Sequence, residues 1–169
     1  VDLDAMPQPN AQAAAWAERL VDMYAAWARQ RRARLTVLAD RPAGASGGRR
    51  WVAWFSGLAA WPVLRGEDGV HVWEEPDAAA GGHVRRQARV RVLPAPGGDA
   101  ASLRRQAMQA LAAPSPASLR VVRVYRADPS PLVRDRQGGW RSGRLDRVLG
   151  GAFDLEGASR LARRAGDAD

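Results

Sequence analysis

The hydrophobic pattern of the chain changes period several times, and each change marks an element. Val1 to Ala5 alternate as a strand does, and Pro7, Pro9 and Asn10 interrupt the alternation. Asn10 suits the N-cap of a helix running to about Arg32. Trp16, Leu20, Met23 and Trp27 lie 4, 3 and 4 residues apart, which puts them on one helical face and predicts core. Arg34–Leu38 reads as a strand, Pro42–Gly48 as a loop, and Trp51–Phe55 as a strand too apolar to alternate, hence buried on both faces. Pro62 fits the first turn of a short helix over Trp61–Gly66, and Gly69–Trp73 is a further strand.

In Val84–Leu93, Val84, Ala88, Val90 and Val92 share one face, while Arg85, Gln87, Arg89 and Arg91 point the other way. That is a half-buried strand with an arginine stripe on its open side. Pro94–Gly98 ends it. Asp99 caps a helix through Ala113 whose Leu103, Ala107 and Leu111 face inward, and Pro114-Ser115-Pro116 breaks that helix. Leu119–Arg126 is again a strand, and Gly143–Leu149 and Gly157–Arg164 are helical in pattern. No internal repeat is visible.

Composition narrows the chemistry. A chain of 169 residues fits one domain with a core of its own. The absence of Cys removes disulfides, thiolate metal sites and cysteine nucleophiles. All 26 basic residues are Arg, so no P-loop, Schiff-base or general-base lysine exists. No apolar run reaches the ~20 residues of a membrane span and no signal peptide opens the chain, so the cytoplasm is the expected location.

The net charge of +8 is unevenly placed. Residues 1–80 carry 9 Arg against 10 acids, 127–169 carry 8 against 7, and 81–126 carry 9 against Asp99 alone. So local an excess points to an anionic partner, RNA or an acidic protein surface.

The search for a catalytic set returns nothing. His71 and His83 are the only imidazoles, 12 residues apart and outside any metal-binding spacing. Glu74, Glu75 and Asp77 read as a solvated rim. Gly44-Ala45-Ser46-Gly47-Gly48 lacks the Lys-Ser/Thr of a P-loop, and no serine stands in a nucleophile elbow. The expectation is a binding protein, not an enzyme, with no cofactor, metal or small-molecule substrate.

Trp16-Ala-Glu-Arg-Leu-Val-Asp-Met-Tyr24-Ala-Ala-Trp27, Leu64-Arg-Gly-Glu-Asp-Gly-Val-His71 and Val90-Arg-Val-Leu-Pro94 follow one another in the order seen in bacterial class I peptide-chain release factors. The stretch from Val124-Tyr125 through Asp135 and Gly143 to Asp154 resembles the C-terminal tail of that family, its UGA-reading branch most closely. The resemblance covers roughly residues 1–155. It implies an α+β fold, a mixed β-sheet packed against helices, as in the codon-recognition superdomain. It also implies one domain over residues 1–165, with 166–169 a flexible tail.

In the family the chain leaves this superdomain to build a hydrolysis domain and then returns. Here residues 95–118 leave room only for a short helical replacement. The family's catalytic Gly-Gly-Gln is absent, since Gln137-Gly138-Gly139 has the reverse order and lies in the tail. The codon-reading motifs are absent as well. Pro7–Ala11 hold no Gly-Thr-Glu, Glu75-Pro76-Asp77 matches neither discriminator tripeptide, and His83-Val84-Arg85 stands where the family has Arg-His-Thr.

Two functions follow. One is a non-catalytic module that docks on the ribosome or on structured RNA through Arg85, Arg86, Arg89 and Arg91, with Arg120 and Arg123 as further phosphate contacts. The other is a release-factor fold repurposed as a protein-interaction subunit of a bacterial multiprotein system, ATPase-linked or defensive. Trp73 and Trp140 are its candidate exposed aromatics, with plain core packing as the other reading of both.

Overall fold

The computed structural model describes residues 2–5, 11–43, 48–77, 81–95, 98–112 and 120–158. The expected N-cap Asn10, the Gly44–Gly47 part of the glycine loop, the Pro114-Ser115-Pro116 break and the 166–169 tail lie outside them, as do residues 159–164 of the last expected helix.

Among the described residues eight strands form one sheet in the order β2-β3-β1-β5-β4-β6-β7-β8. They are β1 (Asp2–Ala5), β2 (Arg34–Ala43), β3 (Gly48–Ser56), β4 (Gly69–Pro76), β5 (His83–Arg91), β6 (Val121–Arg126), β7 (Leu132–Asp135) and β8 (Arg141–Ser142). The β4/β6 pair is parallel and the other pairs are antiparallel, so the sheet is mixed, as the α+β reading requires. The helices are α1 (Ala11–Gln30), α2 (Ala60–Leu64), α3 (Ala100–Ala112) and α4 (Leu145–Arg147). The short α4 runs on through a wide π-helical turn, Val148–Ala152.

Helix α1 covers one face of the sheet with the stripe its spacing predicts: Trp16, Leu20, Met23 and Trp27 are all buried. They meet Trp51, Phe55, Trp73, Ala88, Val90 and Tyr125 from the strands, and Val148 and Phe153 from the C-terminal helical segment. Helix α3 packs on the opposite face, where Leu103 meets Leu38, Ala39 and Val52. Its N-terminus is capped as expected, with Asp99 Oδ1 accepting from the Ser102 amide at 2.6 Å.

Two strands escape the sequence pattern. β7 and β8 are only four and two residues long, lie among Pro129, Pro131, Gly138, Gly139 and Gly143, and match no element expected from the pattern. β2 also outruns its expected end, reaching Ala43 through a register shift between Val37 and Ala39. Gly151, at φ +97°, lies against the backbone of α1; a Cβ there would run into the Trp27 amide nitrogen and the Ala26 carbonyl carbon. Only glycine fits.

Candidate nucleic-acid interface

Strand β5 sets the geometry of the arginine stripe. Ala88 and Val90 are buried on the α1 side, so by alternation Arg85, Gln87, Arg89 and Arg91 project from the other face. Same-face neighbours along a strand lie about 6.8 Å apart, which spaces Arg85, Arg89 and Arg91 in a row. The row is not bare of acids. Arg85 pairs with Glu74 of β4 at 2.9 Å while keeping 64% of its side chain exposed. In the ladder, Asp4 and Asp2 of β1 stand opposite Arg89 and Arg91. Arg120 is exposed just before β6, and its carbonyl accepts from the Val70 amide.

Two of the expected contacts are in the wrong place. Arg86 has the parity of Ala88, lies buried on the α1 side, and binds Glu75 at 2.9 Å. The alternation already contained that signal, which the Arg85-Arg86 doublet obscured.

Arg123 is buried still more completely. Its guanidinium donates to both oxygens of Glu67 at 2.8 and 3.0 Å and to Asp135 Oδ2 at 2.9 and 3.1 Å. Trp140 and Phe153 lie 5.3 and 5.4 Å from it. On β6, Val122 and Val124 look like the inward pair, which sends Arg123 outward on paper. The face that α1 and the C-terminal helical segment enclose is in fact the one that carries Arg123, and its apolar partner there is Tyr125.

Around Arg123 the buried polar groups satisfy one another. Tyr24 donates to Glu67 Oε2 at 3.1 Å, and the Gly138 amide donates to Asp135 Oδ1. His71 Nδ1 lies 3.1 Å from the Tyr125 hydroxyl, and its Nε2 lies 3.0 Å from the Glu67 carbonyl. Burial pushes the His71 pKa down to about 4, partly offset by Glu67, so the imidazole is neutral near pH 7. Burial alone would lower Arg123 too, but Glu67, Tyr125 and Asp135 hold it above its ordinary value. Closed to solvent and fully paired, the cluster serves to fix β6 and β7 against α1. In the sequence Tyr24, Glu67 and Asp135 stand only within the family-like stretches, where nothing marks them as partners of Arg123.

Trp73 and Trp140, candidates for either exposure or core packing, are core, at only 4% and 6% accessible. Trp73 stacks beside Trp16, with the Arg19 guanidinium 4.5 Å from its ring, and Trp140 abuts Arg123. The exposed one is Trp61, at 45%, beside an apolar groove of about 670 Å³ whose walls include Leu38, Trp54, Leu93 and Leu103 with Arg91 at its edge. Among the described residues no helix is long and apolar enough to cross a membrane.

Comparison with known proteins agrees with this architecture. A family model, the PCRF domain, matches residues 11–74, from the start of α1 into β4. No curated protein matches the chain. Among solved structures, RF2 of Thermus thermophilus is similar with a TM-score of 0.63 at 18% identity, over 96% of this chain and 68% of that one. At that identity the likeness is one of fold, and the fold of the chain is release-factor-like.

Proposed function

We propose that the chain is a non-catalytic, release-factor-like binding module that docks on the ribosome or on structured RNA and hydrolyses nothing. The observation that carries the reading is the row Arg85, Arg89 and Arg91 on the sheet face opposite α1, continued by the exposed Arg120, within a release-factor-like fold. Arginine guanidinium groups hold phosphate oxygens through paired N–H donors, which suits an RNA backbone and yields strongly salt-dependent affinity. The absence of Gly-Gly-Gln, and the helix α3 standing between β5 and β6 where the family inserts a hydrolysis domain, support a docking role without peptidyl-tRNA hydrolysis. The tail motif favours descent from the UGA-reading branch, with residues 1–165 acting as one domain. A cytoplasmic location follows from such a partner.

Co-sedimentation with purified ribosomes across a salt series tests this. Binding is expected to persist near physiological salt and to disappear when Arg85, Arg89 and Arg91 are all changed to Glu. Sedimentation that vanishes at the first added salt, or that ignores the triple reversal, sinks the reading.

The exposed Trp61, Leu58 and Leu93 favour a second reading, a protein-interaction subunit of a bacterial assembly that uses this apolar surface. Purification as a lone monomer that captures no protein partner counts against it.

A further inference from the structure

The far edge of the sheet holds a second group of arginines, differently situated from the β5 row. Arg134 of β7 and Arg141 of β8 are ladder partners, directly opposite each other. Cα atoms of such partners stand about 4.5–5.5 Å apart, and like charges so placed repel. Their neighbours fix their direction. Val133 and Asp135 on β7, and Trp140 and Ser142 flanking Arg141, are all buried on the α1 side, so Arg134 and Arg141 project from the opposite, exposed face. Arg136 follows, also exposed, with its backbone amide fixed by the Val122 carbonyl at 2.8 Å.

Among the described residues, no ion pair reaches Arg134, Arg136 or Arg141. The strand acid of the hairpin, Asp135, turns inward to Arg123. Arg126, on the same face of β6 as Val124, adds a second sign. Its Nε is shielded from solvent yet has no hydrogen-bond partner, and its ladder neighbour Glu74 is already taken by Arg85. An unpartnered buried N–H and an opposed pair of guanidinium groups are both costly unless an anion is present. They stand on the same sheet face as the β5 row.

We propose that Arg134 and Arg141, with Arg136 and Arg126 beside them, form a phosphodiester-binding surface that grips an RNA backbone at the β7–β8 edge. The inference rests on the RNA-docking reading and gives it a second point of contact. A concentration of cations whose one ladder acid, Glu74, already pairs with Arg85 calls for a densely charged anion. A nucleic-acid backbone supplies that in regular succession, and guanidinium forks match its paired oxygens.

The test uses the full chain, a fluorescently labelled RNA hairpin, and poly-glutamate as a protein-like polyanion. In Arg141→Glu, a carboxylate opposite Arg134 replaces repulsion by attraction, so Tm is expected to rise by about 1–3 °C. RNA affinity is expected to fall about tenfold, and the slope of log K against log salt to flatten by about 1. Arg141→Gln checks the same loss of affinity without reversing charge. Unchanged RNA affinity in both variants, with the Arg85/Arg89/Arg91 reversal still abolishing binding, overturns this inference and leaves the docking reading intact. No RNA binding by the parent chain overturns both. Poly-glutamate bound as tightly as RNA, with the same loss in Arg141→Glu, overturns the phosphodiester assignment in favour of an acidic protein.

Discussion

Arg123 and Arg89 lie on strands separated only by β4, yet they face opposite sides of one sheet and live under opposite physics. On the α1 side a guanidinium is enclosed by two carboxylates, two tyrosines and aromatic rings, and every donor is spoken for. On the other side Arg89 is half-buried and Arg85 largely exposed, and a surface pair such as Arg85–Glu74 contributes only about 0–1 kcal/mol. The contrast teaches that arginine content says little about binding until strand parity and coverage are known. Buried arginines hold the fold, and only those left in water are free for a partner.

The sharpest way to break the contrast is to remove one arginine from each side. Arg123→Ala leaves Glu67 and Asp135 buried without their cation and is expected to cost about 3–5 kcal/mol in denaturant unfolding. Arg89→Ala, by comparison, is expected to stay within about 0.5 kcal/mol. Equal losses would mean that the two faces do not differ as described.

Acid probes the enclosed side further. The His71 pKa is lowered to about 4 in the folded chain from an ordinary 6.5, so as pH falls the unfolded chain takes up the proton first. Its contribution is therefore full above about pH 6.5 and is lost by about pH 4, amounting to about 3 kcal/mol. Urea titrations at stepped pH are expected to show this decline, and His71→Gln should flatten it.

Arg86→Met makes the finest test, because its partner Glu75 keeps 41% of its side chain in water and can resolvate. The expected loss is about 1 kcal/mol, with RNA binding unchanged. A binding defect would return Arg86 to the interface.

Much of the fold was legible because period and punctuation agreed. The Trp16–Trp27 stripe, the Asp99 cap and the alternation of β5 all rest on local rules. The hairpin of β7 and β8 was not, since strands this short carry too few residues to show a period among prolines and glycines. The direction in which the arginines face was legible only in part, and the reason lies in coverage. On β5, facing solvent on one side, alternation places Arg85, Arg89 and Arg91 correctly. On β6, where an arginine shares the enclosed face with Tyr125, it misdirects Arg123. Trp73 and Trp140 left exposure and core packing both open for a related cause, since a tryptophan next to charged residues in sequence still buries its ring where its surroundings are enclosed.

The clasp between α1 and the end of the chain bears on how the molecule is made. Trp27 and Arg31 both bind Asp154, and Gln30 reaches the Gly150 carbonyl, across separations of 127, 123 and 120 residues. Contacts so distant along the chain slow folding, because a long loop must close before they can form. During synthesis at roughly 5–20 residues per second, α1 emerges several seconds before the segment that covers it. Through that interval its tryptophan face depends on partial sheet contacts or a chaperone. The nascent chain is therefore most exposed to aggregation before Phe153 and Asp154 arrive.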